Sequence, residues 1–406
     1  MNNEYHRVYA RIDLDAIKFN MTSIRNHVND NDDNNKYDVI KNQVNQKVKV
    51  MAVIKADGYG HGAIPIGREL EKLGVDYIAI AIYQEGVQLR KEGIKTPILV
   101  LGNTPNEAYD KLIEYDLTQT IYSIHMGKEL ETFAKAYNKI VKIHLKIDTG
   151  MGRIGLKAIH QPVEKVINSI KELYSSKYLL LEGIYTHFSK ADEEDKSYTN
   201  MQIEVFDNII NALSEEDMLP EFVHASNSAG LIGVRKARYN MVRAGISLYG
   251  LFPSRQVEHV LKLKPAMSII SRVVFIKEVE KGEAISYGGT YITDKPSRIA
   301  TIPIGYADGY SRALSNKGKV VIHGKYAPII GRICMDQFMV DVTHIENVVE
   351  NDEVYLIGGI EDATVSVEEI ADLMQTINYE VVCLIGKRVP RVYVKENEVV
   401  EAIDYF

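Results

Sequence analysis

The 406-residue chain has no tryptophan and only two cysteines. Cys334 and Cys383 lie far apart and lack metal-ligand spacing, so they fit buried thiols in a reducing compartment. No apolar run approaches the roughly 20 residues that a membrane helix needs, so no membrane association is expected. The opening M-N-N-E-Y-H-R-V-Y carries no apolar signal segment, and a cytoplasmic location is expected. Positive charge is also short: 48 Lys and Arg against 55 Asp and Glu leave a net charge of −7, which argues against a nucleic-acid partner. What is present is ordinary for a globular protein, 46% hydrophobic and 25% charged, in a chain long enough for two cores. Tyrosine stands out, 25 against nine phenylalanines, and several tyrosines sit beside glycines in motifs.

Strand-like and helix-like segments alternate through the first two-thirds. Val48–Ile54, Tyr77–Ile82, Pro97–Leu101, Gln119–Tyr122, Val141–Ile147, Leu179–Thr186, Glu221–Ala225 and Met241–Tyr249 read as strands. Amphipathic stretches such as Ala63–Leu73, Asn106–Tyr115, Met126–Tyr137, Pro162–Tyr174 and Tyr198–Leu213 lie between them. Repeated β-then-α units imply parallel strands covered by helices. Eight such units suggest a closed (β/α)8 barrel, while periodicity alone also fits an open doubly wound sheet. Val8–Leu14, ahead of a helix at Asp15–His27, is a ninth strand and is expected to pair with the C-terminal domain. From about Leu261 strand-like runs dominate, with one helix at Val367–Gln375. The expectation is an N-terminal α/β barrel over residues 1–257 and a mostly-β domain over 258–406. Residues 27–46 are rich in Asn and Asp and read as a solvated insertion. Their irregular spacing argues against a metal site, and no metal is expected.

Chemistry concentrates where strands end. A-V-I-K-A-D-G-Y-G-H-G puts Lys55 at the end of the first barrel strand, before a glycine-rich turn. In an α/β barrel that end faces the active site. A partly dry lysine amine is a nucleophile that forms Schiff bases with aldehydes, pyridoxal phosphate among them. H-L-K-I-D-T-G-M-G-R-I-G carries Lys146 and Arg153, whose planar fork suits a carboxylate or phenolate. Y-T-H-F-S ends a strand with His187. H-A-S-N-S-A-G, from His224 to Gly230, offers hydroxyl and amide donors to a phosphate or simply an N-cap to a helix. M-V-R-A-G-I-S-L-Y-G places Arg243, Gly245 and Ile246 at the last barrel strand, where barrels commonly hold phosphate. In the second domain A-I-S-Y-G-G-T-Y and P-I-G-Y-A-D-G-Y, holding Tyr287 and Tyr306, read as glycine-containing turns with aromatic packing. G-R-I-C-M-D-Q and I-N-Y-E-V-V-C-L-I-G-K-R-V-P-R follow them.

These segments, in this order and over nearly the whole chain, closely resemble the alanine racemase family of pyridoxal-phosphate enzymes. The resemblance implies interconversion of L- and D-alanine by two bases. Lys55 would hold the cofactor and act on the D enantiomer, and Tyr287 of a second subunit would act on the L enantiomer. It implies phosphate contacts from Tyr59, Ser228, Gly245, Ile246 and Tyr379, and Arg243 facing the pyridine nitrogen. Arg153 and Met335 would meet the substrate carboxylate, with Arg153 also touching the cofactor's phenolic oxygen. His187 would lie between Tyr287 and Arg243, Tyr306 would line the entrance, and Lys146 would match a lysine that is carbamylated in many members. A homodimer with shared sites follows, and a role in supplying D-alanine for the cell wall. Gly58 stands where alanine is common, and the Asn/Asp-rich insertion is atypical. A related decarboxylase would carry an acidic residue at the pyridine nitrogen and a G-G-G phosphate loop, both missing here. A cofactor carrier built on the barrel alone would not need the second domain. A racemase for serine or a larger amino acid is the remaining alternative; Tyr379 and Tyr306 favour a methyl side chain, and one extra atom is worth only about 1–3 kcal/mol.

Overall fold

The computed structural model describes residues 7–30, 47–258 and 260–405, so most of the 27–46 insertion lies outside the described residues. Its flanks meet: Asn29 Oδ1 accepts from the Val48 N–H at 2.7 Å. The chain packs as two units. One comprises residues up to Ile17, the Tyr59–Gly62 segment and Pro265 onward; the other comprises Lys18–Gly58 and Ala63–Lys264.

The strands, in chain order, begin with β1 (Val8–Asp13). Then come β2 (Lys49–Val53), β3 (Tyr77–Ile80), β4 (Ile98–Val100), β5 (Leu117–Ile121), β6 (Val141–Asp148), the two-residue β7 (Leu156–Lys157), β8 (Leu179–Tyr185), β9 (Phe222–His224) and β10 (Met241–Ala244). In the second unit, β2, β3, β4, β5, β6, β8, β9 and β10 pair in parallel, and a β5–β6 pairing closes the ring. This is the eight-stranded parallel barrel, and the open-sheet alternative falls. Helices alternate with the strands, as at Ala63–Lys72, Ile124–Ala136, Val163–Tyr174 and Ser197–Glu215.

Two expectations change. The last barrel strand is shorter than Met241–Tyr249. Beyond Ala244 the Gly245 N–H turns to the Ser228 hydroxyl at 3.0 Å, and Ile246–Tyr249 forms a 3-10 turn. A helix at Tyr83–Lys91 was not expected, because only Gly86 and Leu89 on it are buried and no apolar period is visible.

The barrel interior is unusual in being lined by rings. Tyr77 on β3 meets Phe222 on β9 edge-on, with centroids 5.8 Å apart. Because β2 and β10 separate these two strands in the sheet, that contact crosses the lumen. His144, His224 and Tyr185 continue the stack, the last two parallel at 4.7 Å. Branched aliphatics more often fill such interiors.

In the first unit an eleven-stranded sheet runs from β12 (Phe275–Val279) at one edge, through β11 (Met267–Arg272) in its interior, to two C-terminal strands. Val273 and Val274 lie between β11 and β12, outside either strand. β1 lies inside this sheet, antiparallel to β11 and parallel to the strand Arg391–Lys395. Its alternating burial, with Val8, Ala10 and Ile12 inward, suits a strand with one core face. The cysteines are less buried than expected: Cys334 is half-buried and Cys383 exposed, and neither forms a disulfide. No helix among the described residues is long and apolar enough to cross a membrane.

Fully buried Asn20, on the helix Leu14–Val28, ties the barrel unit's end to its last turn. It donates to the Leu248 and Lys264 carbonyls at 3.1 and 2.8 Å and accepts from the Lys264 N–H at 2.7 Å. Asn20→Ala leaves these groups without partners and should destabilise the protein by about 2 kcal/mol. Urea unfolding of the two proteins, followed by circular dichroism, checks this through the shift in midpoint.

Candidate active site

Lys55 stands two residues beyond the end of β2 and is half-buried. The next four residues, Ala56, Asp57, Gly58 and Tyr59, all take the left-handed conformation, with φ of 53°, 51°, 62° and 52°. For the three that carry a Cβ this costs on the order of 1–2 kcal/mol each, so the turn must be held from outside. The Gly58 N–H bonds to the Ile54 carbonyl at 2.8 Å, and Asp57 Oδ1 accepts from Ala63 at 2.7 Å. Glu85, at the start of the helix that sequence reasoning missed, accepts from Ala56 at 2.6 Å through one oxygen. Its other oxygen accepts from Ala81 at 2.8 Å and Ile82 at 3.2 Å. A clamp of this kind leaves no motif in sequence, because Glu85 is 29 residues from its target.

In the barrel unit the other expected residues also stand at the carboxyl ends of strands. Arg243 on β10 is buried and surrounded by acceptors. Nη1 donates to His224 Nδ1 at 2.8 Å; Nη2 reaches the Thr186 and Ala225 carbonyls, each at 2.9 Å, and His187 Nδ1 at 3.1 Å. Burial pushes its pKa down to about 10, so it stays cationic near neutrality. Burial and the Arg243 charge hold His187 well below its ordinary range, so it is neutral, and the Arg243 bond fixes its proton on Nε2. Ser228 is buried. Its hydroxyl accepts from the Gly245 N–H at 3.0 Å and the Ser247 N–H at 3.3 Å, and it lies 3.1 Å from the Ser247 hydroxyl. Ile246 is the next residue in this turn. Lys146, on β6, is also buried; burial first, then Arg153 and Arg243, lower its pKa to about 7. Arg153 is exposed on the loop after β6, where Asp148 Oδ1 accepts from Gly150 and Gly152 at 3.0 and 3.1 Å.

The β-rich unit holds the remaining expected residues. Tyr59 is buried and packs against Tyr379 with ring centroids 6.1 Å apart; burial first, then Tyr379, raises the Tyr59 phenol. The glycines beside Tyr59 are required by close approach: a Cβ on Gly60 would overlap the Val382 carbonyl, and one on Gly62 the Tyr393 hydroxyl. Arg391, within R-V-P-R, donates to the Gly60 carbonyl at 3.1 Å. Tyr287, Tyr306 and Met335 are all exposed. Tyr287 and Met335 line one cavity of about 690 Å³ with Ser286, Cys334, Asp336 and Gln337. Tyr306 donates its N–H to the Cys334 carbonyl at 3.2 Å, and Ala307 to that of Met335 at 3.0 Å. Gly305 makes this possible, since a Cβ there would overlap both carbonyls. The described residues contain no cluster of His, Cys, Asp or Glu fit for a metal ion.

The barrel's donor set suits an aldehyde cofactor with a phosphate and an aromatic nitrogen. A lysine amine, a hydroxyl beside backbone N–H groups and a guanidinium that only donates stand on neighbouring strand ends: Ala244 pairs with Ala52, three residues before Lys55. Glu85→Ala removes the acceptor of Ala56 in the turn that carries the lysine, and those of Ala81 and Ile82 before its own helix. Amide exchange at Ala56 should speed up at least about tenfold and global stability fall by about 1–3 kcal/mol. Hydrogen–deuterium exchange and denaturant titration measure the two effects.

Known proteins are similar over the full length. Residues 33–253 match the family described as "Alanine racemase, N-terminal domain", and residues 266–393 match "Alanine racemase, C-terminal domain". The alanine racemase of Clostridium perfringens is 44% identical over 98% of both chains. The solved alanine racemase of Clostridium difficile 630 superposes with a TM-score of 0.89 at 40% identity, covering 99% of this chain and 100% of that one. That of Bartonella henselae, described with covalently bound pyridoxal phosphate, superposes at 0.81 with 27% identity, covering 96% and 99%. The chain belongs to the alanine racemase family.

Proposed function

We propose that the protein is a pyridoxal-phosphate-dependent isomerase that interconverts L- and D-alanine with one base on each face of the substrate. The observation that carries this is Arg243, a buried guanidinium at a strand end beside Lys55, within a chain over 40% identical to alanine racemases along its length. Pyridoxal phosphate, when bound, supplies the electron sink that makes an α-proton removable.

Lys55 holds the cofactor and moves the α-proton on one face. Arg243 keeps its own protons near neutrality, so it faces the ring nitrogen as a donor and does not hand over a proton. Ser228, Gly245 and Ile246 bind the phosphate, with Tyr59 and Tyr379 in the same role. Arg153 offers its fork to the substrate carboxylate and the Met335 N–H adds a second contact, while Tyr306 lines the entrance. Tyr287 of a second copy moves the proton on the opposite face, which makes the working unit a homodimer. A phenol acts as a base near neutrality only with cationic neighbours, which the His187–Arg243 line is suited to supply. The boundary expected at residues 257 and 258 lies a few residues ahead of the Lys264–Pro265 junction between the two packed units. We place the activity in the cytoplasm, supplying D-alanine for peptidoglycan.

Removing one base separates exchange from inversion. In heavy water, Tyr287→Phe should lose racemisation by about 10²–10⁴-fold in both directions. It should still wash the α-proton out of D-alanine through Lys55. Lys55→Ala should lose both reactions and the cofactor adduct that borohydride traps. Proton magnetic resonance of each enantiomer, with serine alongside, reads the result; full inversion by Tyr287→Phe would overturn the two-base reading.

Lys146 is proposed to carry a carbamate. Its neutral amine attacks carbon dioxide, forming an N–C bond and releasing a proton, and the resulting anion sits beside Arg153 and Arg243. Only the neutral amine reacts, so occupancy should be high above a pH of about 7 and fall below it. Carbon-13 bicarbonate should give a carbamate carbonyl resonance that is absent in Lys146→Ala and fades on acidification.

A further inference from the structure

Arg243 is a buried cation with no carboxylate among its hydrogen-bond partners. One of those partners opens a chain of buried groups that no role above uses. His224 Nδ1 accepts from Arg243 at 2.8 Å, and His224 Nε2 lies 2.9 Å from His144 Nδ1. His144 Nε2 makes no hydrogen bond and lies 3.6 Å from Glu182 Oε2, close enough for the carboxylate charge to act on the ring. The Tyr77 hydroxyl donates to the same Glu182 oxygen at 2.9 Å and meets the Thr118 hydroxyl at 2.6 Å. Both histidines are fully buried.

The direction of this chain is forced from the arginine end. A guanidinium can only donate, so His224 Nδ1 must be an acceptor and its proton sits on Nε2. That proton is donated to His144 Nδ1, which leaves the His144 proton on Nε2, aimed at a carboxylate. Burial and the neighbouring positive charge keep both rings neutral. Burial alone would raise the Glu182 carboxyl, but the nearby His144 ring and the Tyr77 hydrogen bond outweigh this and hold it ionised.

The backbone is shaped for the arrangement. Between β6 and β8, Ile143 pairs with Leu181 and His144 with Gly183, so Glu182 is the extra residue of a β-bulge. A bulge re-aims a side chain that regular pairing would send elsewhere. Gly183 clears the space for the ring: a Cβ there would lie 2.6 Å from His144 Cε1 and Nδ1. A bulge, a glycine and two one-way imidazoles thus converge on one carboxylate.

We propose that Glu182, acting through His144 and His224, is the counter-charge that orients Arg243, while the arginine sets the tautomers of both histidines. Glu182 is then a positioning residue for the reaction, and this role rests on Arg243 facing the cofactor as read above. The alternative is a structural network that merely fills the barrel.

Nitrogen-15 histidine labelling of the full-length protein, with and without pyridoxal phosphate, reads tautomers directly. His224 and His144 should both carry their proton on Nε2 in the native protein. A proton on Nδ1 of His224, or a doubly protonated ring, overturns the proposal whether or not any variant folds. Glu182→Gln should move the nitrogen shifts of His224, which Glu182 does not touch, and lower kcat for alanine about tenfold with KM held within about twofold. Unchanged His224 shifts, or kcat within twofold of native, also overturn it. Gly183→Ala should displace the His144 ring and move the His224 shifts likewise; unmoved His224 shifts count against the relay. The tautomers are read without substrate, so a failure of the racemase reading, seen as no activity in the native protein, stays distinct from a failure of the relay.

Discussion

The burial of one guanidinium governs the chemistry of the barrel's carboxyl end. A charged group removed from water is tolerated only when its hydrogens are matched and its charge answered. Arg243 takes carbonyls from Thr186 and Ala225, residues just past the ends of β8 and β9, so two strands must stop where they do. Its remaining contacts are to ring nitrogens, and each fixes a proton: His187 and His224 become acceptors toward the arginine and therefore donors on their far sides. A lysine could supply the charge but not this fan of directions.

The turn after Lys55 is the opposite case, a segment held in place against its own preference. Three non-glycine residues in succession around Gly58 adopt left-handed geometry. Such strain persists only where surroundings over-determine it, and it gathers at functional sites. Glu85, Asp57 and the Ile54 carbonyl supply the restraint within the barrel unit. The turn takes the chain out of the β2 ladder at Lys55 itself, so the lysine leads off the strand instead of continuing its alternation.

The barrel was legible because its strands are buried on both faces and read as short apolar runs, such as Val48–Ile54 and Val141–Ile147. Closure was not legible, since nothing local distinguishes β5 pairing with β6 from an open edge. The helix at Tyr83–Lys91 escaped because it is nearly all polar, and the last strand was overdrawn because Ile246–Tyr249 is apolar and buried without being extended. Motif residues stood out where glycines or small hydroxyls punctuate a strand end. Glu85 and Glu182 did not, because their meaning lies in partners far along the chain. His144 and His224 opened two quoted motifs, yet a histidine on an apolar strand is no signal until its neighbour across the lumen is known.

The same surroundings sort the ionisable groups by type. Burial bears on Arg243, Lys146 and His187 alike, and the arginines add to it for the other two. Arginine, starting highest, is brought only to about 10 and keeps its charge, while lysine is brought to about 7 and histidine well below its usual value. The cation that survives then adds to the burial that keeps its neighbours neutral. A neutral Lys146 is a nucleophile, and a neutral His187 has one donor and one acceptor instead of two donors. Replacing Arg243 by a neutral group would remove part of this effect, while burial would still hold both neighbours toward the neutral form. Burial therefore sets the order, the arginines reinforce it, and arginine is the side chain whose charge withstands burial.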